Sequence, residues 1–222
     1  MASPDDSKMT GPRLAMPPAT LTKRTVLASL NCDGRLGVAL VAALILLWTL
    51  AAGGDSLTQA LRYDRVAIDH GEWWRLATAH WVHLGLRHLI LDSAGLVLLW
   101  VLYARELTPG AWLWVGVWAT AAIDLGLWWG EPEIQWYLGI SGLLHAGWAA
   151  GAAVLTLRRA PFGILMLAIL TLKLALEQRH GVSLIDATLP VVTAAHLYGA
   201  LGGVMAVSLL GVGARVSGSQ RL

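Results

Sequence analysis

Charged residues are scarce in this chain. They make up 14 % of its 222 residues, whereas a soluble globular domain carries about 25 %. Together with a hydrophobic content of 56 %, this excludes an ordinary soluble domain and argues against disorder. The single cysteine, Cys32, excludes an internal disulfide. Phenylalanine occurs once against twelve tryptophans, and indole rings are typical of the headgroup layer of a bilayer. The net charge is only +2, so no nucleic-acid partner is expected.

Long apolar runs take the place of charge. A membrane-spanning helix needs roughly 20 apolar residues. On this criterion we predict six spans, at residues 36–52, 83–103, 111–129, 138–157, 161–176 and 188–212. The predicted fold class is therefore an all-α membrane protein, with a six-helix bundle over residues 36–212 and the lipid bilayer as its surroundings.

The distribution of basic residues predicts the orientation of this bundle. With the N-terminus in the cytoplasm, the inner segments carry ten of the sixteen lysines and arginines, as the positive-inside rule requires. The loop at residues 130–137 has Glu131 and Glu133 and no base, which suits the outer side. Residues 1–35 are predicted to be a largely disordered cytoplasmic tail, and residues 213–222 a short cytoplasmic tail.

Ser141 is a candidate nucleophile among the polar residues of the predicted spans. It lies in the segment Gly139-Ile140-Ser141-Gly142, where the fourth span begins. A serine between glycines is sterically open, and the N–H groups of a first helical turn have no intrahelical partner. Such groups can bind an oxyanion. Taken alone, the same pattern is also that of an ordinary helix N-cap.

Other ionisable residues fall inside the spans, where they are costly and are functional candidates. They are Arg87, His88, Asp92, Asp124, His145, Lys173 and His196. Ser141 lies 17 residues before Arg158, roughly 25 Å of helix. His196 lies 19 residues before Arg215, roughly 28 Å of helix. Ser141 and His196 are therefore predicted at similar depth, near one boundary of the bilayer, where they can form a hydrogen bond.

Small residues predict close packing of the fourth and sixth spans. Gly147 and Gly151 form one small face, and Gly199 and Gly203 form another. Faces of this kind let two helices approach closely in a membrane.

Three blocks of the sequence resemble the rhomboid family of intramembrane serine proteases. Residues 139–142 are similar to the family's GxSG motif, and Ala195-His196-Leu197-Tyr198-Gly199 with Gly203 is similar to AHxxGxxxG. Residues 72–75 (Glu-Trp-Trp-Arg) are similar to the first-loop WR motif, and residues 83–92 are similar to HxxxxHxxxN. The resemblance covers about residues 36–212 and agrees with the predicted number and order of spans.

The resemblance implies a catalytic dyad without cofactor or metal. Ser141 would be the nucleophile and His196 the general base of an acyl-enzyme mechanism. The family pattern requires no third carboxylate. His145 lies one turn beyond Ser141 and is expected to stack on or bond to His196, or to bond a backbone carbonyl. Gly139 and Gly142 are expected to support the oxyanion site.

Asp92 departs from the family pattern, which usually has asparagine there. An ionised carboxylate cannot donate to an oxyanion. Either burial keeps Asp92 protonated, or Asp92 holds His88 as a cation one turn away and His88 donates. We favour the second alternative, because a buried charge persists best when it is paired.

Residues 139–145 are most similar to the rhombosortase branch of the family, although Ala146 stands where that branch would have glycine. The branch implies a bacterial inner-membrane enzyme with its site facing the periplasm. Its partners would be membrane-anchored protein substrates with a C-terminal tail of Gly-Gly, one transmembrane span and a basic end. The acyl-enzyme would pass to water or to an amine.

Other functions remain open at this stage. The chain could be a general rhomboid protease of single-span proteins, or an inactive rhomboid-like binding or quality-control protein. A small transporter with Asp92, Asp124 and Lys173 as a relay is less favoured, because we detect no internal repeat. His70, His80 and His83 do not have the spacing of a zinc site, and Lys173 is expected to pair with Glu177 at i,i+4.

Overall fold

The computed structural model describes residues 35–185, 188 and 190–219. Its elements in chain order are α1 (Arg35–Ala52), α2 (Gly54–Leu61), β1 (Tyr63–Asp64), α3 (Arg65–Asp69), α4 (Trp74–Thr78), a 3-10 turn (Ala79–Trp81), α5 (Gly85–Tyr103), α6 (Pro109–Gly130), β2 (Trp136–Tyr137), α7 (Ser141–Leu157), α8 (Pro161–His180) and α9 (Thr193–Ser219). Of the predicted N-terminal tail, residues 1–34 lie outside this description. At the other end, α9 continues beyond the predicted boundary at residue 212 to Ser219.

The prediction of an all-α membrane bundle is confirmed. Among the described residues, α5, α6, α8 and the Thr193–Gly211 part of α9 are long and apolar enough to cross a membrane. Helices α1 and α2 form a pair bent by 114° that counts as a fifth candidate. Helix α7 has only 17 residues. By length and composition the predicted count of six is therefore not confirmed.

Two helices begin later than the sequence predicts. Helix α5 begins at Gly85 and not at His83, and α7 begins at Ser141 and not at residue 138. In both cases a glycine with positive φ breaks the chain direction, Gly85 at +74° and Gly139 at +112°. Residues other than glycine rarely adopt such backbone angles. His83 therefore lies in a loop, and Ser141 lies at the first turn of its helix.

The fifth and sixth predicted spans also change. Helix α8 does not stop at residue 176 but continues to His180 and ends at Gly181, whose φ of +68° forms a left-handed cap. This extension brings Glu177 into the helix. Helix α9 begins at Thr193, later than the predicted residue 188.

Helix α7 is the central helix of the bundle, and glycines bring α9 against it. Gly199 and Gly203 of α9 lie on the backbone carbonyls of Gly142 and Ala146, so that a Cβ at either glycine would overlap with them. This contact sets the separation of the two helices.

The other glycine pair does not take part in this contact, which corrects the prediction. Gly147 and Gly151 of α7 face Leu99 and Tyr103 of α5. Residues Gly142 and Ala146 point to one side of α7 and contact α9, whereas Gly147 and Gly151 point to another side and contact α5.

The segment between α1 and α5 is tied to the bundle by backbone contacts. Strands β1 and β2 form an antiparallel pair in which Tyr63 faces Tyr137. Arg75 holds the segment together internally, since its guanidinium donates to the carbonyl of Gln59 at 2.8 Å and to the Glu72 carboxylate at 2.7 Å. This segment therefore has a fixed position beside the start of α7.

Candidate active site

A tight turn presents Ser141 at the first turn of α7. The Gly139 N–H donates to the carbonyl of Ala79 at 3.0 Å, and the Tyr137 hydroxyl donates to the carbonyl of Gly139 at 2.8 Å. Tyr137 lies in β2, and burial raises the pKa of its hydroxyl well above the usual value. The hydroxyl therefore stays protonated and keeps its donor role.

The structure brings Ser141 and His196 together. Nε2 of His196 lies 3.0 Å from Oγ of Ser141, and only 3 % of His196 is exposed. His196 lies on α9, one turn before Gly199, whose contact with Gly142 holds the two helices close. The predicted shared depth of the two residues is therefore matched by a direct contact.

A carboxylate that the motifs do not predict completes this contact. Oε2 of Glu177 lies 2.9 Å from Nδ1 of His196. Glu177 is fully buried, and its Oε1 also accepts from Lys173 Nζ and from the Leu184 N–H at 3.1 Å. The predicted Lys173–Glu177 pair is present, but Glu177 additionally reaches across to α9. The sequence does contain one signal for Glu177, because it is an acidic residue directly after the apolar run at residues 161–176.

His145 fills the space on the other side of His196. The two imidazole rings are stacked, with centroids 4.0 Å apart and planes inclined by 14°. Nδ1 of His145 lies 2.7 Å from the carbonyl oxygen of Ser141, and Nε2 lies 2.8 Å from Nζ of Lys173. Both expected contacts of His145, the stack and the backbone carbonyl, are therefore present together.

His88 and Asp92 lie beside the turn at Gly139. Oδ2 of Asp92 is 3.3 Å from Nε2 of His88 and 3.1 Å from Nε2 of His83. Nδ1 of His88 lies 3.4 Å from the Leu84 N–H. Nδ1 of His88 therefore accepts a hydrogen bond, whereas its buried Nε2 lies near the Asp92 carboxylate without forming a hydrogen bond in the described structure. The contact with Asp92 is the pairing that we favoured, and the role of His88 as oxyanion donor stays a prediction.

A cavity of about 170 Å³ opens beside Ser141. The polar residues of its wall are His88, Asp92, Ser141, His145, Lys173, Ser183 and His196. The rest of the wall is mostly apolar and includes Leu91, Leu98, Leu144, Trp148, Ile185 and Val191. Glu177 is not part of the wall and lies behind His196. The cavity offers a site where an apolar peptide segment can lie against the serine.

One group of side chains has the spacing of metal ligands. Single ligand atoms of His145, Glu177 and His196 lie within 4.8 Å of one another. The ammonium of Lys173 already contacts both His145 and Glu177, so a cationic group is present where a metal would bind. Of the histidines considered for zinc, His80 lies 3.4 Å from Asp124 and His83 contacts Asp92.

Comparison with known families agrees with this arrangement. The family model of the Rhomboid domain matches residues 70–212, which is more than half of the chain. The chain belongs to the rhomboid family. Rhomboid proteins are intramembrane serine proteases that act on membrane proteins, and the matched region contains Ser141, Glu177 and His196. No curated protein and no solved structure matches the chain.

Proposed function

We propose that this rhomboid protein is an active intramembrane serine endopeptidase, with Ser141 as nucleophile and His196 as general base. The 3.0 Å contact between Ser141 Oγ and His196 Nε2 carries the proposal. Two further features support it: the serine opens onto a cavity, and it begins a helix whose first N–H groups have no intrahelical partner.

The reaction follows the chemistry of a nucleophilic serine. Oγ of Ser141 attacks the scissile carbonyl carbon while Nε2 of His196 takes the hydroxyl proton. The tetrahedral intermediate collapses as His196 gives that proton to the leaving amine, and the acyl group remains on Ser141. Water then attacks the ester, with His196 again taking and returning one proton, and the carboxylic product leaves.

The oxyanion would form at the N-terminus of α7. Backbone N–H groups of a first turn and the helix dipole both favour negative charge there. Gly139 and Gly142 leave room for a substrate at this end of the helix. We propose that His88 and Asp92 act by supporting the Gly139 turn: a Cβ on Gly139 would lie 2.8 Å from Cε1 of His88.

The proposed substrates are exported proteins with a C-terminal sorting tail of Gly-Gly, one span and a basic end. The similarity of residues 139–145 to the rhombosortase branch supports this proposal. A substrate helix must unwind before its amide can be attacked, and glycine destabilises a helix by about 1 kcal/mol relative to alanine. The corresponding location is a bacterial inner membrane, with both termini cytoplasmic and the site towards the periplasm.

Cleavage of a reporter tests this function. A reporter with a Gly-Gly tail is co-expressed with wild type, Ser141→Ala or His196→Ala, and the product mass is measured. Ser208→Ala is a matched control, because Ser208 lies on the exposed face of α9 and its hydroxyl donates to the Val204 carbonyl of the same helix. We expect cleavage by wild type and Ser208→Ala alone, and the product mass distinguishes hydrolysis from transfer to an amine.

Two outcomes would contradict the proposal at different levels. No cleavage of the sorting tail, with cleavage of ordinary single-span substrates, would reject the sorting-tail substrate and leave a general rhomboid protease. No cleavage of any substrate by folded wild type would indicate a non-proteolytic member of the family.

A further inference from the structure

We propose that Glu177 makes the catalytic group a triad, in which its carboxylate positions His196 and stabilises the imidazolium that forms during catalysis. This inference rests on the proposed protease function and extends it. The dyad that the family motifs imply has no such group.

The contacts of His196 define one tautomer. An ionised carboxylate only accepts hydrogen bonds, so Nδ1 of His196 carries the proton that is shared with Glu177 across 2.9 Å. Nε2 then has a free electron pair and accepts from the Ser141 hydroxyl at 3.0 Å. This is the tautomer that a general base needs, and Glu177 selects it.

The carboxylate is itself held in place by donors from three segments. Lys173 donates from the preceding turn of α8, Leu184 donates its N–H from the loop after α8, and His196 donates from α9. A fully buried carboxylate is costly unless it is paired and hydrogen-bonded. Lys173 supplies the compensating charge, so Glu177 stays in one orientation without access to water.

His145 links this group to the stacked face of His196. The Ser141 carbonyl only accepts and the Lys173 ammonium only donates, so Nδ1 of His145 is the donor and Nε2 the acceptor. His145 is therefore neutral with a fixed tautomer. A neutral ring stacked at 4.0 Å adds no second positive charge beside the imidazolium that forms on His196.

The position of Glu177 predicts which kinetic constant depends on it. Glu177 does not line the cavity, so it does not touch the substrate. It is a positioning residue that acts through His196. In serine proteases with a complete triad, loss of the acidic member costs about 10⁴-fold in kcat. We expect Glu177→Gln to lower kcat by about 10²–10⁴-fold and to leave KM within about 2-fold.

The experiment compares charge removal at two glutamates of the full chain in detergent. Glu177→Gln, Glu177→Asp and Glu106→Gln are assayed for kcat and KM with a cleaved reporter, and for labelling of Ser141 by a fluorophosphonate. Glu106→Gln is the matched control, because it breaks a 2.6 Å ion pair with Arg158 away from the site. We expect slow labelling and low kcat only in Glu177→Gln, with Glu177→Asp recovering at least about 10-fold.

The results separate this inference from the function on which it rests. Wild-type kcat and labelling in folded Glu177→Gln would overturn the role of Glu177 and leave the protease intact. The role of Glu177 would also be overturned if Glu177→Gln changed KM and not kcat, or if Glu177→Asp did not recover the lost kcat. Wild type that neither cleaves nor labels would overturn both proposals.

A measurement on wild type covers the case in which Glu177→Gln does not fold. Nitrogen-15 NMR of labelled histidines reports which ring nitrogen carries the proton. His196 should be protonated on Nδ1, with a downfield proton resonance typical of a strong hydrogen bond. Protonation of the resting ring on Nε2 would overturn the inference.

Discussion

Nε2 of His83 lies 3.1 Å from Oδ2 of Asp92, and both side chains are buried. His83 belongs to the loop before α5, and the positive φ of Gly85 turns this loop so that the imidazole lies over the helix. The same carboxylate oxygen contacts His88 one turn earlier on α5. One carboxylate therefore holds two imidazoles next to the turn that carries Ser141.

This relationship predicts the effects of substitutions at Asp92. Asp92→Ala removes the acceptor of the buried His83 imidazole and the carboxylate beside His88, and it should lower the free energy of unfolding by about 1–3 kcal/mol. Asp92→Asn keeps one acceptor oxygen, so its loss should be smaller and its activity should be kept or raised. Thermal unfolding in detergent and reporter cleavage measure the two effects.

The double variant of His83→Ala and Asp92→Ala is the control for this contact. If the two residues act through one hydrogen bond, the losses of stability are not additive. Additive losses, or an Asp92→Ala protein as stable as wild type, would contradict the structural role. Complete loss of activity in a stable Asp92→Asn protein would instead assign the carboxylate a part in the chemistry.

The contact between α9 and α7 predicts a second effect. Gly199→Ala would drive a Cβ into the carbonyl of Gly142 and separate the two helices one turn from His196. We expect a loss of stability of about 1–3 kcal/mol and a fall in cleavage, because the Ser141–His196 distance increases. Thermal unfolding and reporter cleavage are measured on the same preparation.

Gly116→Ala is the matched control for this glycine. Gly116 lies within α6, and a Cβ there meets nothing within 4 Å in the described structure. Since alanine favours helix by about 1 kcal/mol over glycine, this variant should be as stable as wild type or more so. Equal behaviour of Gly199→Ala and Gly116→Ala would contradict the close approach.

The sequence predicts the parts of the site that lie in short motifs. Ser141 and His196 could be identified because each has a local signature and a countable distance to a basic residue. Glu177 has no such signature. Its contact with His196 depends on the extension of α8 to His180 and on the packing of α8 beside α9, neither of which the hydrophobic run at residues 161–176 defines.

The glycine faces show a related limit. A pair of glycines at i,i+4 predicts that some helix approaches closely, but it does not name the helix. The sequence predicts that Gly147 and Gly151 meet the sixth span, but they contact Leu99 and Tyr103 of α5. The partner depends on how α7 is rotated within the bundle, and that rotation is set by all of its neighbours together.

Arg65 makes a contact that predicts a third effect. Its guanidinium donates to the carbonyls of Leu127 at 2.6 Å, Trp128 at 3.0 Å and Glu131 at 3.1 Å. These carbonyls belong to the C-terminal end of α6, where a cation is favourable. Arg65→Ala should cost about 1.5–3 kcal/mol of stability, and Arg65→Lys should recover only part, because an ammonium lacks the planar fork.

Arg158→Ala is the control for loss of an arginine. The Arg158 side chain is 59 % exposed and pairs with Glu106, and exposed ion pairs contribute about 0–1 kcal/mol. The unfolding temperatures of the variants measure the difference. Wild-type stability in Arg65→Lys would show that the positive charge alone, and not the planar guanidinium with its several donors, stabilises the C-terminal end of α6.

The turn before Ser141 predicts a fourth effect, with a control that isolates its cause. Gly139 has a φ of +112°, and a Cβ there would lie 2.8 Å from Cε1 of His88. Gly71 has a similar φ of +99°, with nothing within 4 Å of its Cβ position. Alanine should cost about 1–3 kcal/mol of backbone strain at either glycine. Only Gly139→Ala should also displace His88 and Ser141 and lower kcat, as reporter cleavage at matched protein concentration will measure.

Equal stability and equal kcat in the two alanine variants would mean that the Gly139 turn needs glycine for its backbone angle alone.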